Sequence, residues 1–257
     1  MPSRRELTEA EKRHKKIALI LTSFLVCLII IDLLVISLVY SIADWIAILI
    51  FSLLFIVPAY ISNAGMVIVG GGKPIDGGKS FKNGQRILGD HKTWNGFIKG
   101  PLYIGIPVSI AIFCLFLVLW PFIELIPIAG TQQGAYKIYT DVFYYQYYFI
   151  GGTLPFGFIT LIIRIVLCSY GAAIGDLIGS FIKRRLNYES GAPFWVVDQL
   201  DFAIFAIFFT SIPALFLPSM FMAPDVNIII FLMILTPSVS IIANTVAYMI
   251  GMKDVPW

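Results

Sequence analysis

IALILTSFLVCLIIIDLLVISLVYSIADWIAILIFSLLFIVPAYISN, residues 17–63, holds two apolar runs, 17–40 and 43–63, with only a turn at Ser41–Asp44 between them. Crossing the hydrocarbon core of a bilayer takes about 20 apolar residues in a helix. Each run is long enough to span, and so short a turn predicts a helical hairpin. Runs of similar length recur at 97–121, 149–174, 201–219 and 227–250. The expected fold is an all-α polytopic membrane protein with about six transmembrane helices. Composition agrees: 59% of the 257 residues are hydrophobic and 13% charged, and the mean hydropathy is +0.89, values foreign to a water-soluble domain. The first run is too long for a signal-peptide core and lacks a small-residue cleavage pattern. Cys27, Cys114 and Cys168 lie inside apolar runs without metal-ligand spacing, which points to packing.

The net charge of +3 says little, but its distribution fixes an orientation. With the N-terminus in the cytoplasm, sixteen of the eighteen basic residues fall on that side. Arg4, Arg5, Lys12, Arg13, Lys15 and Lys16 are in the arm; Lys73, Lys79, Lys82, Arg86, Lys92 and Lys99 are in loop 64–99. Lys183, Arg184 and Arg185 are in loop 175–200, and Lys253 is in the tail. The positive-inside rule then predicts that both termini and both loops face the cytoplasm of a multi-pass cell-membrane protein. Residues 1–16 read as a basic cytoplasmic arm, a short surface helix drawn to anionic lipid, and residues 17–257 as a single transmembrane domain. On the outer side, 122–148 carries Tyr136, Tyr139, Phe143, Tyr144, Tyr145, Tyr147 and Tyr148 with almost no charge. Aromatic residues of this kind favour the headgroup layer, so an interfacial segment is expected. Arg164 sits deep in the fourth run, where an unpaired charge is expensive, and Asp32 is its candidate partner.

The first loop reads GGGKPIDGGKSFKNGQRILGDHKTWNGFIKG over 70–100, with nine glycines, six basic residues and two aspartates. That composition cannot sit in hydrocarbon and suits a polyanion. Glycines let backbone N–H groups approach phosphate oxygens, while Lys and Arg supply counter-charge. A Walker P-loop is excluded, because the position of its first glycine is Lys73 and no strand precedes the loop. His91 is given no catalytic role. The second loop reads GDLIGSFIKRRLNYESGAPFWVVDQLDF over 175–202. If the fourth span continues helically, Asp176, Ser180, Lys183 and Arg184 share one face. A carboxylate near the membrane surface with two cations two turns further on can hold a metal and a phosphate together. A carboxylate ending an apolar span is costly without a partner. Asp198 and Asp201, three apart at the start of the fifth span, either share a face or serve as helix caps. The Lys183–Arg185 run also reads as a membrane-flanking anchor.

Three blocks carry a resemblance: PAYISNAGMVIVGGGKPIDGGKSFKNGQRILGDHKTWNGFIKG (58–100), GDLIGSFIKRRLNYESGAPFWVVDQLDF (175–202) and NTVAYMIGMKDVPW (244–257). Together they cover about a third of the chain and closely resemble archaeal CDP-archaeol synthase. More distantly they are similar to bacterial CDP-diacylglycerol synthase, which has a comparable lysine-threonine-tryptophan segment. It also has a GD-x₃-S-x₂-KR stretch followed by two aspartates three apart. The bacterial histidine-glycine-glycine is replaced here by Phe194-Trp195-Val196. Family members usually have five spans, so 17–40 looks like an added N-terminal helix.

The resemblance implies a CTP-dependent nucleotidyltransferase of phospholipid biosynthesis, moving CMP from CTP to an unsaturated ether-lipid phosphate to give CDP-archaeol and pyrophosphate. It assigns Mg²⁺ to Asp176 and Asp198, with Asp201 as a third ligand or neighbour. Gly70, Gly71, Gly72, Lys79, Arg86, Lys92 and Thr93 would cradle the triphosphate, with Asp76 and Asp90 orienting these cations or contacting ribose. Lys183 and Arg184 would hold the lipid phosphate. Asp176, Asp198, Lys92 and Lys183 form the catalytic set, and Asn63 and Asn244 are span-end candidates for the lining. The expected partners are CTP and the ether-lipid phosphate within the bilayer, with no nucleic acid. The alternatives are a transporter, against which the chain shows no glycine-proline helix breaks repeated in two halves, and a scaffold binding anionic lipid through the basic arm.

Overall fold

Ser41 joins the first two helices, α1 (Glu9–Val39) and α2 (Ile42–Ile68). Its side chain caps α2 by accepting from the Asp44 backbone N–H at 3.0 Å, and its hydroxyl donates to Asp44 Oδ2 at 2.7 Å. The structure is a computed structural model that describes residues 9–81, 84–188 and 194–250. The remaining helices are α3 (Trp94–Lys99), α4 (Ile106–Ile123), α5 (Leu125–Gln132), α6 (Val142–Ile150), α7 (Phe156–Arg185), α8 (Val197–Phe216) and α9 (Val226–Met249). A π-helical segment, Gly100–Gly105, joins α3 to α4. Among the described residues no strand forms; two isolated bridges, Pro74 with Thr93 and Ser80 with Arg86, tie the first loop. Among the described residues six helical stretches are long and apolar enough to cross a membrane: Lys12–Val39, Ile42–Ile68, Trp94–Gln132, Phe156–Arg185, Val197–Phe216 and Val226–Met249. The chain is an all-α, multi-pass membrane protein.

Two close approaches set the site end of the bundle. Gly105 in the π segment lies on Ser62 of α2, where a Cβ would overlap the serine side chain, and a Cβ at Gly100 would come within 2.7 Å of the Met66 nitrogen. Small residues at such positions let helix backbones approach, as membrane helix pairs require. The stripe Gly171, Gly175 and Gly179 of α7 does the same against α8. A Cβ at Gly171 would sit 2.8 Å from the Phe205 carbonyl oxygen, and one at Gly179 would overlap the Asp201 carboxylate.

Four expectations change. Residues 9–16 of the expected arm are not set apart from the span: α1 runs unbroken from Glu9 to Val39, so Lys12–Lys16 extend it, while residues 1–8, with Arg4 and Arg5, lie outside the described residues. The fourth span begins at Phe156 rather than 149, because α6 ends at Gly151 in a left-handed conformation. The tyrosines of 139–148 do not form an interfacial belt. Tyr139, Tyr147 and Tyr148 are buried, and the Phe51 ring stacks on Tyr148 at 4.5 Å. The cause is Asp44, whose carboxylate accepts from the backbone N–H groups of Lys137, Ile138 and Tyr139 at 2.9, 3.0 and 3.2 Å and draws that segment inward. Tyr139 then donates to Asp225 at 2.8 Å and Tyr147 to the Met222 carbonyl at 2.9 Å, so these hydroxyls do not need water.

Arg164 does not pair with Asp32. Its Nη1 and Nη2 donate to the Tyr147 and Tyr148 carbonyls, both at 2.8 Å, and its guanidinium lies 4.9 Å from the Tyr147 ring centre. The C-terminal carbonyls of α6 carry partial negative charge and satisfy it without a carboxylate. Asp32 instead accepts from Trp45 Nε1 at 2.9 Å, across the hairpin.

Candidate active site

The glycine stripe of α7 brings the acidic residues together. Gly175 and Gly179 allow the first turns of α8 to lie directly on α7, so Asp201 rests against Gly179 while Asp176 follows Gly175. Asp201 is close enough to Asp176, Asp198 and Lys92 for their charges to act on it. Neither aspartate of α8 is its N-cap. Val196 holds that position without a side-chain bond, and Asp198 turns back to accept from the Phe194 backbone N–H at 2.9 Å. α7 continues helically to Arg185, as the one-face reading of Asp176, Ser180, Lys183 and Arg184 requires.

Two ion pairs dominate the site. Lys92 Nζ donates to both oxygens of Asp176, at 2.7 and 2.6 Å, joining loops 84 residues apart. Lys183 Nζ donates to both oxygens of Asp198, at 2.9 and 3.0 Å. All four side chains are largely shielded from water, with exposures between 14 and 27%. In such surroundings charge-assisted bonds are stronger than at an open surface.

The first loop is organised around Asp76. Its buried carboxylate accepts from Arg86 Nη2 at 2.6 Å and from the backbone N–H groups of Gly78, Leu88 and Gly89 at 3.0, 3.1 and 3.3 Å. Burial alone disfavours the charged form, but Arg86 and the three N–H groups outweigh it and hold the carboxyl well below the usual carboxylate range. Arg86 also pairs with Asp90. Arg185 pins the loop to the end of α7: it donates to the Arg86 carbonyl at 3.0 Å and lies 4.2 Å from the Phe81 ring centre. Gly71 and Gly72 take φ of +95° and +80°, turning the chain off α2 in a way a side chain would resist. Thr93 caps α3, its hydroxyl accepting from the Gly96 N–H at 3.2 Å.

Between these parts lie two hollows. The larger, about 440 Å³, is lined by Asn63, Met66 and Val67 of α2, Gly70–Gly72, Asp90–Thr93, Gly96 and Phe97 of α3, and Asp176 and Leu177 of α7. The smaller, about 140 Å³, is lined by Leu88–Lys92, Ser180, Lys183 and Arg184. Asp90, His91 and Lys92 face both. Of the residues expected from sequence, Gly70, Gly71, Gly72, Asp90, Lys92, Thr93 and Asp176 meet at the larger hollow. Lys183 and Arg184 meet at the smaller one, where Arg184 also donates to the Tyr188 carbonyl. Lys79 is exposed and lines neither hollow, and Asp76 faces into its own loop. Asn63 lines the larger hollow and Asn244 does not. Lys82 and Lys253 lie outside the described residues. The sequence reading gives His91 no catalytic role, takes Arg185 only as part of a membrane-flanking run and does not single out Phe97; the three- and four-residue spacing of Asn63, Met66 and Val67 is a readable signal for the α2 wall.

A family model of CarS-like CDP-archaeol synthases matches residues 42–120 and 130–257. The chain belongs to this family. CDP-archaeol synthase of Thermococcus gammatolerans is 40% identical over 207 residues, covering 80% of this chain and 95% of that one. The protein of the same description from Thermococcus kodakarensis is 38% identical over 213 residues, 83% of this chain and 99% of that one. A solved structure described as an intramembrane enzyme for archaeal membrane lipid biosynthesis overlays with a TM-score of 0.45 at 24% identity, over 77% of this chain and 92% of that one. As a CDP-archaeol synthase the chain is a CTP-dependent nucleotidyltransferase, which decides against the transporter and scaffold. Every residue of the two ion pairs lies inside the family match, whereas α1 precedes it.

The carboxylates of the site suit Mg²⁺ in chemistry. They are hard oxygen donors, and Mg²⁺ is commonly held by one or two carboxylates completed by substrate phosphates. Among the described residues no three acidic, histidine or cysteine side chains gather into a ready-made cage. Asp176 and Asp198 each carry an ammonium instead.

Proposed function

We propose that the two hollows divide the substrates of CMP transfer, CTP in the larger and the phosphate of an unsaturated ether lipid at the smaller. The observation that carries this is the Lys92–Asp176 pair, which draws the glycine-rich loop and the acidic helix end to one point. In the reaction a lipid-phosphate oxygen attacks the α-phosphorus of CTP. A new P–O bond forms, the bond to the β-phosphate oxygen breaks, and pyrophosphate leaves. Both reactants are anions, so the barrier is charge repulsion and alignment. A phosphomonoester with a second pKa of about 6 is already largely dianionic at neutral pH, so no general base is required.

Lys92 and the backbone N–H groups of Gly70–Gly72 hold the triphosphate. Lys183 and Arg184 hold the lipid phosphate. Asp76 and Arg86 keep the loop in shape, Asp90 steadies Arg86, Thr93 fixes the start of α3, and Lys79 adds positive charge at the loop tip. Asp176 and Asp198, with Asp201 beside them, are the groups that would hold Mg²⁺, which when bound supplies charge neutralisation on the phosphates. The positive-inside rule, applied to the sixteen basic residues that the sequence assigns to this side, supports a cytoplasmic site end and cytoplasmic termini, with the lipid tails remaining in the bilayer. Purified protein with radiolabelled CTP, Mg²⁺ and digeranylgeranylglyceryl phosphate should give a labelled lipid. Folded protein that incorporates no label refutes the proposal.

A further inference from the structure

Helix α1 precedes the family match, which begins at residue 42, yet contacts pin it along its whole length. Near the hairpin, Asp32 accepts from Trp45 Nε1 at 2.9 Å. Midway, the Thr22 hydroxyl donates to Thr245 Oγ1 of α9 at 2.9 Å. One turn from the site end, Lys15 Nζ lies 5.2 Å from the Tyr248 ring centre. Beside it the His14 ring packs on Trp195, with centroids 5.8 Å apart and planes at 36°.

Trp195 belongs to the turn that starts α8, and its φ is +36°. A residue with a side chain stays in that region only when its surroundings hold it there. The same turn fixes Asp198 from two sides. The Phe194 N–H donates to Asp198 Oδ2 at 2.9 Å, and the Asp198 N–H donates to the Trp195 carbonyl at 3.2 Å. The Trp195 backbone and the Asp198 carboxylate are thus two ends of one hydrogen-bonded turn, and Asp198 in turn holds Lys183.

We propose that α1 is a brace for the active site: His14, packed on Trp195, holds the turn that aims Asp198 at Lys183. His14 and Trp195 are positioning residues, acting through Asp198 without touching substrate. The contact gives a helix outside the family match a role in the reaction, and the kinetic part of the idea rests on the functional reading above. Relaxing the turn moves a carboxylate whose placement matters on the ångström scale, where misplacement costs up to about 100-fold in rate.

The test uses the full chain in proteoliposomes, with His14→Ala, His14→Phe and a Trp195→Phe counterpart of each. Alanine favours helix, so α1 itself is not weakened. Acrylamide quenching, taken as the difference from the Trp195→Phe counterpart, reports how well Trp195 is covered. In His14→Ala that quenching should rise and kcat should fall about three- to tenfold with the KM for CTP unchanged, and His14→Phe should restore both. Three results overturn the brace: quenching and kcat both unmoved in His14→Ala, a fall in kcat without a change in quenching, or no rescue by phenylalanine. If the unmodified protein transfers no CMP, the functional reading is what fails, while quenching alone still decides whether His14 covers Trp195.

Discussion

Asp201 of α8 rests its carboxylate directly on Gly179 of α7, a position where a single added carbon would overlap it. This contact sets the distance between the two helix ends that carry the acidic residues. Gly179→Ala should destabilise the protein by about 1–3 kcal/mol, the usual result of overpacking, and should displace Asp201. Thermal unfolding in detergent and turnover should fall together. Full turnover would show that Asp201 has no need of its observed place.

Asp176→Asn keeps the shape of the side chain and removes the charge that Lys92 holds with two bonds. Turnover should drop by about 100-fold or more, on the scale of losing one preorganised electrostatic group, in a protein that still folds. Near-normal turnover in the CTP-to-lipid assay would remove Asp176 from the catalytic set.

Lys183→Ala should raise the KM for lipid phosphate more than that for CTP. A charge-assisted hydrogen bond is worth about 1.5–3 kcal/mol, which corresponds to roughly a 10- to 150-fold change. Steady-state kinetics with each substrate varied in turn would check it, and the opposite pattern would exchange the roles of the two hollows.

Asp76 should matter although it lines neither hollow. Its folded-state carboxyl titrates below the unfolded value of about 3.9. The stability it supplies is therefore fully present above that pH and is lost as pH falls toward the lower folded value. Hydrogen exchange of residues 73–81 and 84–90 should show protection that holds from neutral pH down to about pH 4 and then declines. Asp76→Asn should remove that acid dependence and loosen the loop already at pH 7. Unchanged exchange in the variant would count against Asp76 as the organiser.

Arg164→Gln should cost about 1–3 kcal/mol, because it strips the Tyr147 and Tyr148 carbonyls of their buried donors. Since Asp32 engages Trp45 instead, the double variant with Asp32→Asn should be additive to within about 0.5 kcal/mol. A larger coupling in the stability cycle would contradict the described geometry.

The spans were readable because hydrocarbon imposes a length and an apolar composition on each one, whatever its neighbours. The two site loops were readable for the opposite reason: glycine, lysine and aspartate at 70–100 and 175–202 have no place in lipid. Partners supplied from a distance were not readable. Nothing near Tyr139 announces that Asp44, 95 residues earlier, takes its N–H, so the sequence alone points these tyrosines to the headgroups. The sequence points Arg164 to a carboxylate because a charge pattern shows charges, whereas the helix-end carbonyls it uses belong to every residue. The four-residue spacing of Gly171, Gly175 and Gly179 was visible in the sequence, but its meaning depends on knowing that α8 is what lies against it.

Asp90, His91 and Lys92 line both hollows, so under the proposed division of substrates these three consecutive residues form the partition between nucleotide and lipid phosphate. A shift of that partition to suit one guest alters the room left for the other. Binding linkage is reciprocal, so whatever factor the nucleotide applies to the affinity for lipid, the lipid must apply to the nucleotide. Occupancy measured with either compound alone would then understate the grip on both when they are present together, or overstate it if they crowd one another.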